Sequence, residues 1–503
     1  MNNFKNKYFD ISKPVFIPAA IITVLFVSFT IIFSKDAEAG FSGFQYYMSS
    51  HFGWFISLCI NYFLIFVLYL AFSKFGNIRI GGKDAKPSFS KFSWVAMLFS
   101  AGMGIGLVYF SVAEPMLHFN NPILEGTSDV YKSRLAMRNT YFHYGFHVWG
   151  IYMLVGIALA YFTFNKNTPL SLKSTLIPLF GNRINGWPGY LIDVITVLAT
   201  LFGLATSLGF GAMQFSTGLS EYFGLENATS LQVSSIIGIT LIATISVVTG
   251  LNKGLKYLSN ANIIIALIVF AFVLILGSTV RLIDGFVESV GTYLSDLVEL
   301  SLYRNQHGTP GEWFKGWSMF YWVWWISWSP FVGTFVARIS KGRTIREIGV
   351  FGLVVPSVFS FLWMSVLGGT ALNLQLDGSL DIASIVAQDS SIGLFKMLET
   401  LPFYEITAFI CIVLVGTFFI TSSDSGSLVV DMMTAGGKLN APKGQKVFWA
   451  FMEGAIAIAL LVGGGLTALQ SASISTGFPF AIILVLVSLS LVKSLKQDEQ
   501  LKH

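Results

Sequence analysis

The residues of this chain best suited to a specific chemistry are four tryptophans that fall within seven positions of the run 320–330. Trp324, Trp325 and Trp328 occur at spacings i, i+1 and i+4, so they share one face of a helix. Indole faces attract cations, and clusters of aromatic rings hold quaternary ammonium groups that offer no hydrogen-bond donor. The pattern therefore indicates a site for a trimethylammonium-type solute. The alternative is a tryptophan belt at the membrane boundary, but these rings begin six residues after Ser318 opens the run, nearer mid-bilayer.

A second group of aromatic residues, Tyr144, Trp149 and Tyr152, lies on a predicted helix at 140–163. One aromatic helix face usually reflects packing alone. Beside a tryptophan cluster, however, it could close a cage around the same cation. His143 and His147 on this helix are interpreted as hydrogen-bonded structural residues, with a proton-relay role as the alternative.

Three glycines, Gly102, Gly104 and Gly106, alternate within the predicted helix 92–112. Each costs about 1 kcal/mol relative to alanine in a helix, so helix stability does not explain them. Either they let helices pack closely, or the helix is unwound there and its freed backbone faces an ion or substrate. We favour the second interpretation, which makes Met103, Gly104 and Gly106 backbone contacts for the substrate carboxylate.

Hydroxyl and charged groups near the cytoplasmic side suggest an ion site and a gate. Thr421 and Ser422 offer the hard oxygens that Na⁺ takes, although such hydroxyls more often bond back to their own helix. Asp424 needs a partner, because a carboxylate in the bilayer is costly. Arg338, at the end of the tryptophan helix, is the candidate partner in a cytoplasmic gate; a solvated surface charge is the alternative. Glu114, next to a proline expected to end the third span, is interpreted as a solvated cap or part of an outer gate.

The composition places all these residues in a membrane protein. Of the 503 residues, 54% are hydrophobic and only 11% are charged, and the mean hydropathy is +0.69. Soluble chains do not carry so much apolar surface, so an all-α polytopic membrane protein is predicted. Apolar runs that can cross a bilayer core of about 30 Å recur twelve times. The predicted spans are 14–34, 53–73, 92–112, 140–163, 188–218, 231–250, 260–280, 318–337, 348–372, 402–428, 447–468 and 474–492.

The segments between the spans do not indicate a soluble domain or a further function. Most of the 31 Lys and Arg residues face the cytoplasm if both termini do, as the positive-inside rule requires. They are confined to short loops, so the net charge of +5 does not indicate nucleic-acid binding. The amphipathic stretch 282–302 is predicted to lie at the membrane interface. Cys59 and Cys411 fall in apolar runs, which argues against a disulfide framework or a metal cluster. The first run exceeds a signal-peptide core and is interpreted as a retained helix.

Taken together, these motifs resemble the betaine/choline/carnitine transporter family, from about residue 10 to residue 495. The most specific segments are 102–106, 320–347 and 421–424. The resemblance implies a leucine-transporter-like core of two inverted five-helix repeats (5+5), two extra N-terminal helices, and homotrimers as the common assembly. The implied organisation is an N-terminal tail with two peripheral helices (1–90), a first repeat (91–282), an interfacial helix and loop (283–317), a second repeat with accessory helices (318–492) and a short cytoplasmic tail (493–503).

The resemblance also implies roles for individual residues. Trp324, Trp325 and Trp328 match the family's substrate and gating tryptophans, and Trp149 and Tyr152 match their aromatic partners. Tyr144 stands where betaine carriers often have Trp. The residues that match one sodium site are Ser100, Met103, Phe418, Thr421 and Ser422. The first three of these would contribute backbone oxygens. The residues that match a second sodium position are Thr200 and Phe331; Leu204 stands where a further Thr is expected, so a two-sodium stoichiometry stays open.

Two further positions favour one branch of the family. Gly106 stands where proton-coupled choline carriers tend to carry Asp, and 259–265 lacks the Arg of the carnitine exchangers. We therefore expect sodium symport of a zwitterionic compatible solute, with glycine betaine first, in the cell membrane and with no cofactor besides the coupling ion. The alternative is a proton-coupled or exchange carrier for choline, carnitine or dimethylsulfoniopropionate. A channel needs a continuous hydrophilic lining, and a membrane enzyme needs clustered metal ligands or an activated nucleophile; the sequence indicates neither.

Overall fold

The computed structural model describes residues 3–102, 104–249, 252–303, 316–438 and 442–500. These residues are mostly α-helical. One short antiparallel ribbon, β1 (Phe4–Lys5) and β2 (Asp10–Ile11), precedes the first helix. Ribbon and helix bundle are joined by the Asp10 carboxylate, which accepts from Lys438 Nζ at 2.7 Å, and by the Ser12 amide, which donates to the Thr434 carbonyl at 2.9 Å.

The described residues form eighteen α-helices. In chain order they are α1 (Lys13–Ile32), α2 (Ser34–Phe72), α3 (Lys91–Gly102), α4 (Ile105–Phe119), α5 (Asp129–Tyr144), α6 (Phe146–Asn165), α7 (Ile177–Phe180), α8 (Trp187–Phe223), α9 (Thr229–Thr249), α10 (Asn252–Leu276), α11 (Thr279–Leu302), α12 (Ser318–Ile339), α13 (Ile345–Leu376), α14 (Ile382–Gln388), α15 (Gly393–Glu399), α16 (Tyr404–Thr434), α17 (Lys443–Val462) and α18 (Gly465–Gln500). Short 3₁₀ turns at Lys74–Asn77, Pro122–Leu124, Leu172–Leu176 and Gly181–Asn185 complete the regular structure.

Within the described residues, ten helical segments are long and apolar enough to cross a membrane. The prediction of an all-α, multi-pass membrane protein is therefore confirmed, while the count of twelve spans and the 5+5 repeat stay predictions. The ten do not include α12, in which tryptophans and serines lower the hydropathy, or the short helices α3 and α4. Nor do they include α11, whose position at the membrane interface stays a prediction.

Two of the predicted spans are interrupted by glycine. The span predicted at 92–112 consists of α3, which ends at Gly102, and α4, which begins at Ile105. The span predicted at 140–163 is interrupted at Gly145, between α5 and α6. A Cβ at Gly145 would lie 2.6 Å from the Tyr293 hydroxyl, so only glycine lets α11 approach this closely.

Pro115 does not end its helix as predicted, because α4 continues to Phe119. A proline inside a helix removes the hydrogen bond to the carbonyl four residues earlier, here that of Ser111. Gly368 of α13 packs against this place: a Cβ there would lie 2.7 Å from the Ser111 carbonyl oxygen. The region of α4 around Pro115 is thus covered by a helix that approaches it with glycine.

The tryptophan helix α12 lies in the centre of the bundle against α6. A Cβ at Gly156 of α6 would lie 2.6 Å from Val336 Cγ1 of α12, and Gly333 of α12 faces Val155 of α6 in the same way. Small residues that let two backbones approach are the usual means of packing helices in membranes. This contact fixes the two aromatic helix faces opposite each other.

Candidate substrate and ion sites

Five aromatic rings from α6 and α12 come together around one cavity. Trp324 and Trp325 stack with their ring centroids 4.5 Å apart. Tyr152 lies 6.4 Å from Trp325 and 6.2 Å from Trp328, edge to face in both cases. Trp149 lies 5.4 Å from Tyr152. The two aromatic faces that the spacing singled out therefore meet in space.

Tyr144 closes one side of this group from the end of α5. Its ring lies 5.7 Å from that of Trp325, and its hydroxyl donates to the carbonyl of Gly106 at 3.2 Å. Tyr144 thus joins the aromatic rings to the glycine segment at the start of α4.

The lining of the cavity combines these rings with backbone and three serine hydroxyls. The residues that line it are Gly104, Ile105, Gly106, Leu107, Tyr144, Val148, Trp149, Tyr152, Ser207, Trp324, Trp325, Trp328, Ser360 and Ser422. A Cβ at Gly106 would lie 2.8 Å from Trp324 Cη2, and one at Gly104 would lie 3.4 Å from Trp328 Cη2. Glycine at these positions lets the backbone reach the indoles. Met103, which we predicted as a further contact, lies outside the described residues.

The polar atoms of the rings divide into two groups. Trp324 Nε1 donates to the Gly203 carbonyl at 3.2 Å, and Trp325 Nε1 donates to the His143 carbonyl at 2.9 Å. In contrast, Trp149 Nε1, Tyr152 OH and Trp328 Nε1 are buried and have no hydrogen-bond partner among the described residues. Buried polar groups are normally paired. Three unpaired donors around one cavity therefore indicate a ligand with acceptor atoms.

The lining of the cavity suits both signs of charge. The ring faces attract a cation, with about 0.5–2 kcal/mol per face depending on its desolvation. Beside the rings, Gly104 is extended (φ −148°, ψ 176°) and caps α4. The first N–H groups of a helix have no partner within that helix, and they favour an anion. The cavity therefore offers contacts for both the quaternary ammonium and the carboxylate group of a zwitterion.

The residues of the predicted first sodium site are only partly described. Ser422 lines the same cavity as the tryptophans, and Phe418 is buried one turn earlier on α16. Thr421 Oγ1 donates to the carbonyl of its own helix at Thr417, at 3.0 Å. Asn262 Nδ2 of α10 donates to the same hydroxyl at 3.1 Å. Met103 and the Ser100 side chain lie outside the described part of the chain, so sodium binding here stays a prediction.

The residues of the second predicted sodium position already have partners within the protein. Thr200 Oγ1 bonds back to the Thr196 carbonyl at 2.8 Å, and Phe331 packs on Trp328 with ring centroids 5.5 Å apart. Leu204 is fully buried on the same helix as Thr200. An aliphatic side chain offers no ligand atom, and sodium binding at this second position stays a prediction.

The proposed gate residues are not paired with each other. Arg338 lies exposed in the last turn of α12. Asp424 is fully buried, and its Oδ2 accepts from the Ser246 hydroxyl of α9 at 2.8 Å. No ion pair joins Asp424 to Arg338 in the ranges that the structure covers. The alternative of a solvated charge at Asp424 is therefore wrong, and a gate that forms in another conformation stays a prediction.

A buried polar cluster around Glu114 was missed by the sequence analysis. Glu114 is fully buried, so its interpretation as a solvated cap is wrong. Its Oε1 is 2.6 Å from His143 Nδ1 and 3.1 Å from His118 Nε2, and its Oε2 accepts from the Tyr321 hydroxyl. The carboxylate thus links α4, α5 and α12 beside the aromatic rings. The only signal in the sequence is the i,i+4 spacing of Glu114 and His118, which places both on one helix face.

Comparison with known proteins agrees with this arrangement. The betaine/carnitine/choline family transporter model matches residues 14–500. The chain is 44% identical to glycine betaine transporter 1 of Vibrio parahaemolyticus, over 99% of this chain and 96% of that protein. It is 43% identical to a glycine betaine/proline/choline transporter of the same organism, over 98% and 91%. It is 42% identical to a glycine betaine transporter of Bacillus subtilis, over 91% and 89%.

These matches extend over nearly the whole chain and include the tryptophan helix and both glycine-containing segments. The matched family is one of membrane transporters, not of enzymes. This chain therefore belongs to the betaine/carnitine/choline transporter family.

Proposed function

We propose that this protein imports a quaternary-ammonium compatible solute, with glycine betaine as its first substrate, by sodium symport. The observation that carries the proposal is the cavity itself. Aromatic faces line it, and so do the extended backbone at Gly104 and the N-terminus of α4 beside them. Glycine betaine carries both a trimethylammonium and a carboxylate group and so matches this combination of contacts.

The relatives support the same substrate class, because their names specify glycine betaine, in one case with proline and choline. In this chain Gly106 places no carboxylate beside the rings. A carboxylate there would favour a substrate with net positive charge, such as choline. A zwitterion therefore ranks above choline.

Coupling to sodium is supported by the position of Ser422, which lines the substrate cavity next to Thr421. A Na⁺ held between α3 and α16 binds well only when these helices are correctly apposed, and the substrate requires the same apposition. Each ligand then raises the affinity for the other by the same factor. This reciprocity is the thermodynamic basis of symport.

The site of action that we propose is the cell membrane, with both termini in the cytoplasm and the chain assembled as a homotrimer. The asymmetry of Lys and Arg between the loops supports this orientation. Cysteines introduced singly into the ends and labelled in intact cells would test the orientation, and mass photometry in detergent would test the assembly.

The first test is uptake of labelled glycine betaine into proteoliposomes that contain the purified full-length protein. We expect accumulation above equilibrium with an inward Na⁺ gradient, and none when K⁺ replaces Na⁺. Uptake that ignores Na⁺ but responds to a proton gradient or to preloaded substrate would refute symport and indicate the proton-coupled or exchange alternative. Absence of glycine betaine uptake under all gradients would refute the substrate assignment.

A further inference from the structure

One buried carboxylate of the bundle forms no ion pair with a basic residue among those that the structure describes. Glu453 lies within the candidate span Lys443–Val462 and is fully buried. Neither of its carboxylate oxygens has a hydrogen-bond partner among the residues described. A carboxylate in this position is costly unless a proton or a cation accompanies it, which is why such residues in membrane helices mark ion pathways.

The neighbours of Glu453 are oxygen-bearing residues of α16. The charge of Asp424 acts on the Glu453 carboxylate, and the Ser423 hydroxyl lies beside it. Its Oε1 lies against the α16 backbone, because a Cβ at Gly426 would be 2.6 Å from it. Glycine at this position therefore lets the carboxylate approach the helix that bears the other two oxygens.

Two of these neighbouring oxygens are also unsatisfied. Ser423 is 1% exposed, and its Oγ has no hydrogen-bond partner in the described ranges. Asp424 uses Oδ2 to accept from Ser246, whereas its Oδ1 is unpartnered within the same ranges. Buried oxygens without donors are uncommon in folded proteins. Here they gather in one place, where α9, α16 and α17 meet.

We propose that Glu453, Ser423 and Asp424 form a binding site for a hard monovalent cation, with Na⁺ as its occupant. The ligand set consists only of oxygens, which suits hard cations. Lys446 of α17 interacts electrostatically with Asp424, so one monovalent ion brings the local charge to zero. A divalent ion would leave an excess positive charge, and Ca²⁺ would require six to eight oxygen ligands.

The proposed site lies near Leu204, which stands where the family resemblance leads us to expect a threonine hydroxyl. A Cβ at Gly426 would meet both Glu453 Oε1 at 2.6 Å and Leu204 Cδ1 at 2.7 Å. The carboxylate therefore lies close to the residue that replaces an expected sodium ligand. We infer that the chain exchanges a hydroxyl-based second sodium position for a carboxylate-based one. This inference rests on the proposed sodium symport and adds a second ion to it.

The test is equilibrium binding of ²²Na⁺ to the purified full-length protein, compared with Glu453→Gln and Thr421→Ala variants. Glu453→Gln keeps the side-chain shape and removes the charge, and we expect one Na⁺ fewer per chain. Glu405→Gln, an exposed carboxylate in the first turn of α16, is the matched control and should bind as the unaltered protein does. Ser423→Ala should lower the affinity of the same site roughly tenfold, which corresponds to about 1.4 kcal/mol.

The outcomes separate this inference from the proposed function. Unchanged Na⁺ binding in Glu453→Gln, with loss of a Na⁺ in Thr421→Ala, overturns the new site and retains symport at the other. Loss in Glu453→Gln alone supports the new site and refutes the one at Thr421. Should Glu453→Gln fail to fold, the result for Ser423→Ala decides, and unchanged affinity in that variant overturns the proposal. The proposed Na⁺ site is also overturned if uptake by Glu453→Gln loses only its response to a proton gradient. In that case Glu453 binds a proton and not Na⁺.

Discussion

Replacement of Trp325 by leucine is the most direct test of the aromatic site. The Trp325 ring stacks on Trp324 at 4.5 Å and lies within 6.4 Å of Tyr152. It is 6% exposed, so a cation against it is largely desolvated. One cation–π face provides about 0.5–2 kcal/mol, with the upper part of the range in desolvated sites. At 1.4 kcal/mol per factor of ten, we expect Trp325→Leu to raise the Kd for glycine betaine roughly 10- to 30-fold.

The variant also loses a hydrogen bond, so its stability needs a matched control. Trp325 Nε1 donates to the His143 carbonyl at 2.9 Å, and that bond stabilises the fold by about 1 kcal/mol. Trp449 is fully buried away from the cavity, and its Nε1 donates to the Thr434 hydroxyl at 3.0 Å. Trp449→Leu should therefore lower the thermal stability similarly and leave the affinity for substrate unchanged.

The assay is isothermal titration of glycine betaine into each purified variant, at fixed Na⁺ concentration and after gel filtration to confirm folding. A Kd for Trp325→Leu within a factor of two of the unaltered protein would refute the cage. Equal loss of affinity in Trp449→Leu would show that the effect comes from general destabilisation.

Three further predictions follow from single contacts. Tyr152→Phe removes a hydroxyl without a described protein partner, so the thermal stability should not change. The Kd for substrate, measured by titration, should rise roughly 3- to 10-fold. An unchanged Kd would contradict a contact between this hydroxyl and the substrate. Gly106→Ala places a Cβ 2.8 Å from the Trp324 ring and should abolish uptake. Gly104→Ala places a Cβ 3.4 Å from the Trp328 ring and should retain most of the uptake. Equal uptake by the two variants would refute the close approach of the Gly106 backbone to Trp324. Partial burial acts to raise the pKa of Asp10, but hydrogen bonds from Lys438 and Asn3 outweigh it and lower that pKa below 3.8. The ribbon contact should therefore stabilise the fold above about pH 4 and weaken as pH falls further, and thermal melts of Asp10→Asn should lack this acid-side loss.

Helical periodicity was sufficient to predict the aromatic site, because its members lie on two helix faces. The spacing of Trp324, Trp325 and Trp328 places them together whatever else the fold does. The glycines at 102–106 predicted the interruption between α3 and α4 for a similarly local reason. A residue that costs stability in a helix marks the place where the helix ends.

The carboxylates were harder to interpret, because their surroundings come from helices distant in sequence. Glu114 meets His143, 29 residues away, and Asp424 meets Ser246, 178 residues away. Neither pairing leaves a local pattern. The sequence analysis assigned no role to Glu453, since a single acidic residue in an apolar run does not reveal which helix it faces. The same limit applies to Arg338, whose predicted partner faces α9 in this conformation.

The contact between Gly106 and Trp324 constrains how this transporter can evolve a new specificity. The resemblance to the family implies Asp at the position of Gly106 in its proton-coupled choline carriers. In this chain any side chain at that position meets the Trp324 ring at its first carbon, 2.8 Å away. A mutation to Asp would therefore disrupt the existing site before it could create a new one. We therefore expect the effect of a mutation at position 106 to depend on the residue at position 324, so that a change of substrate charge at this place requires both to mutate.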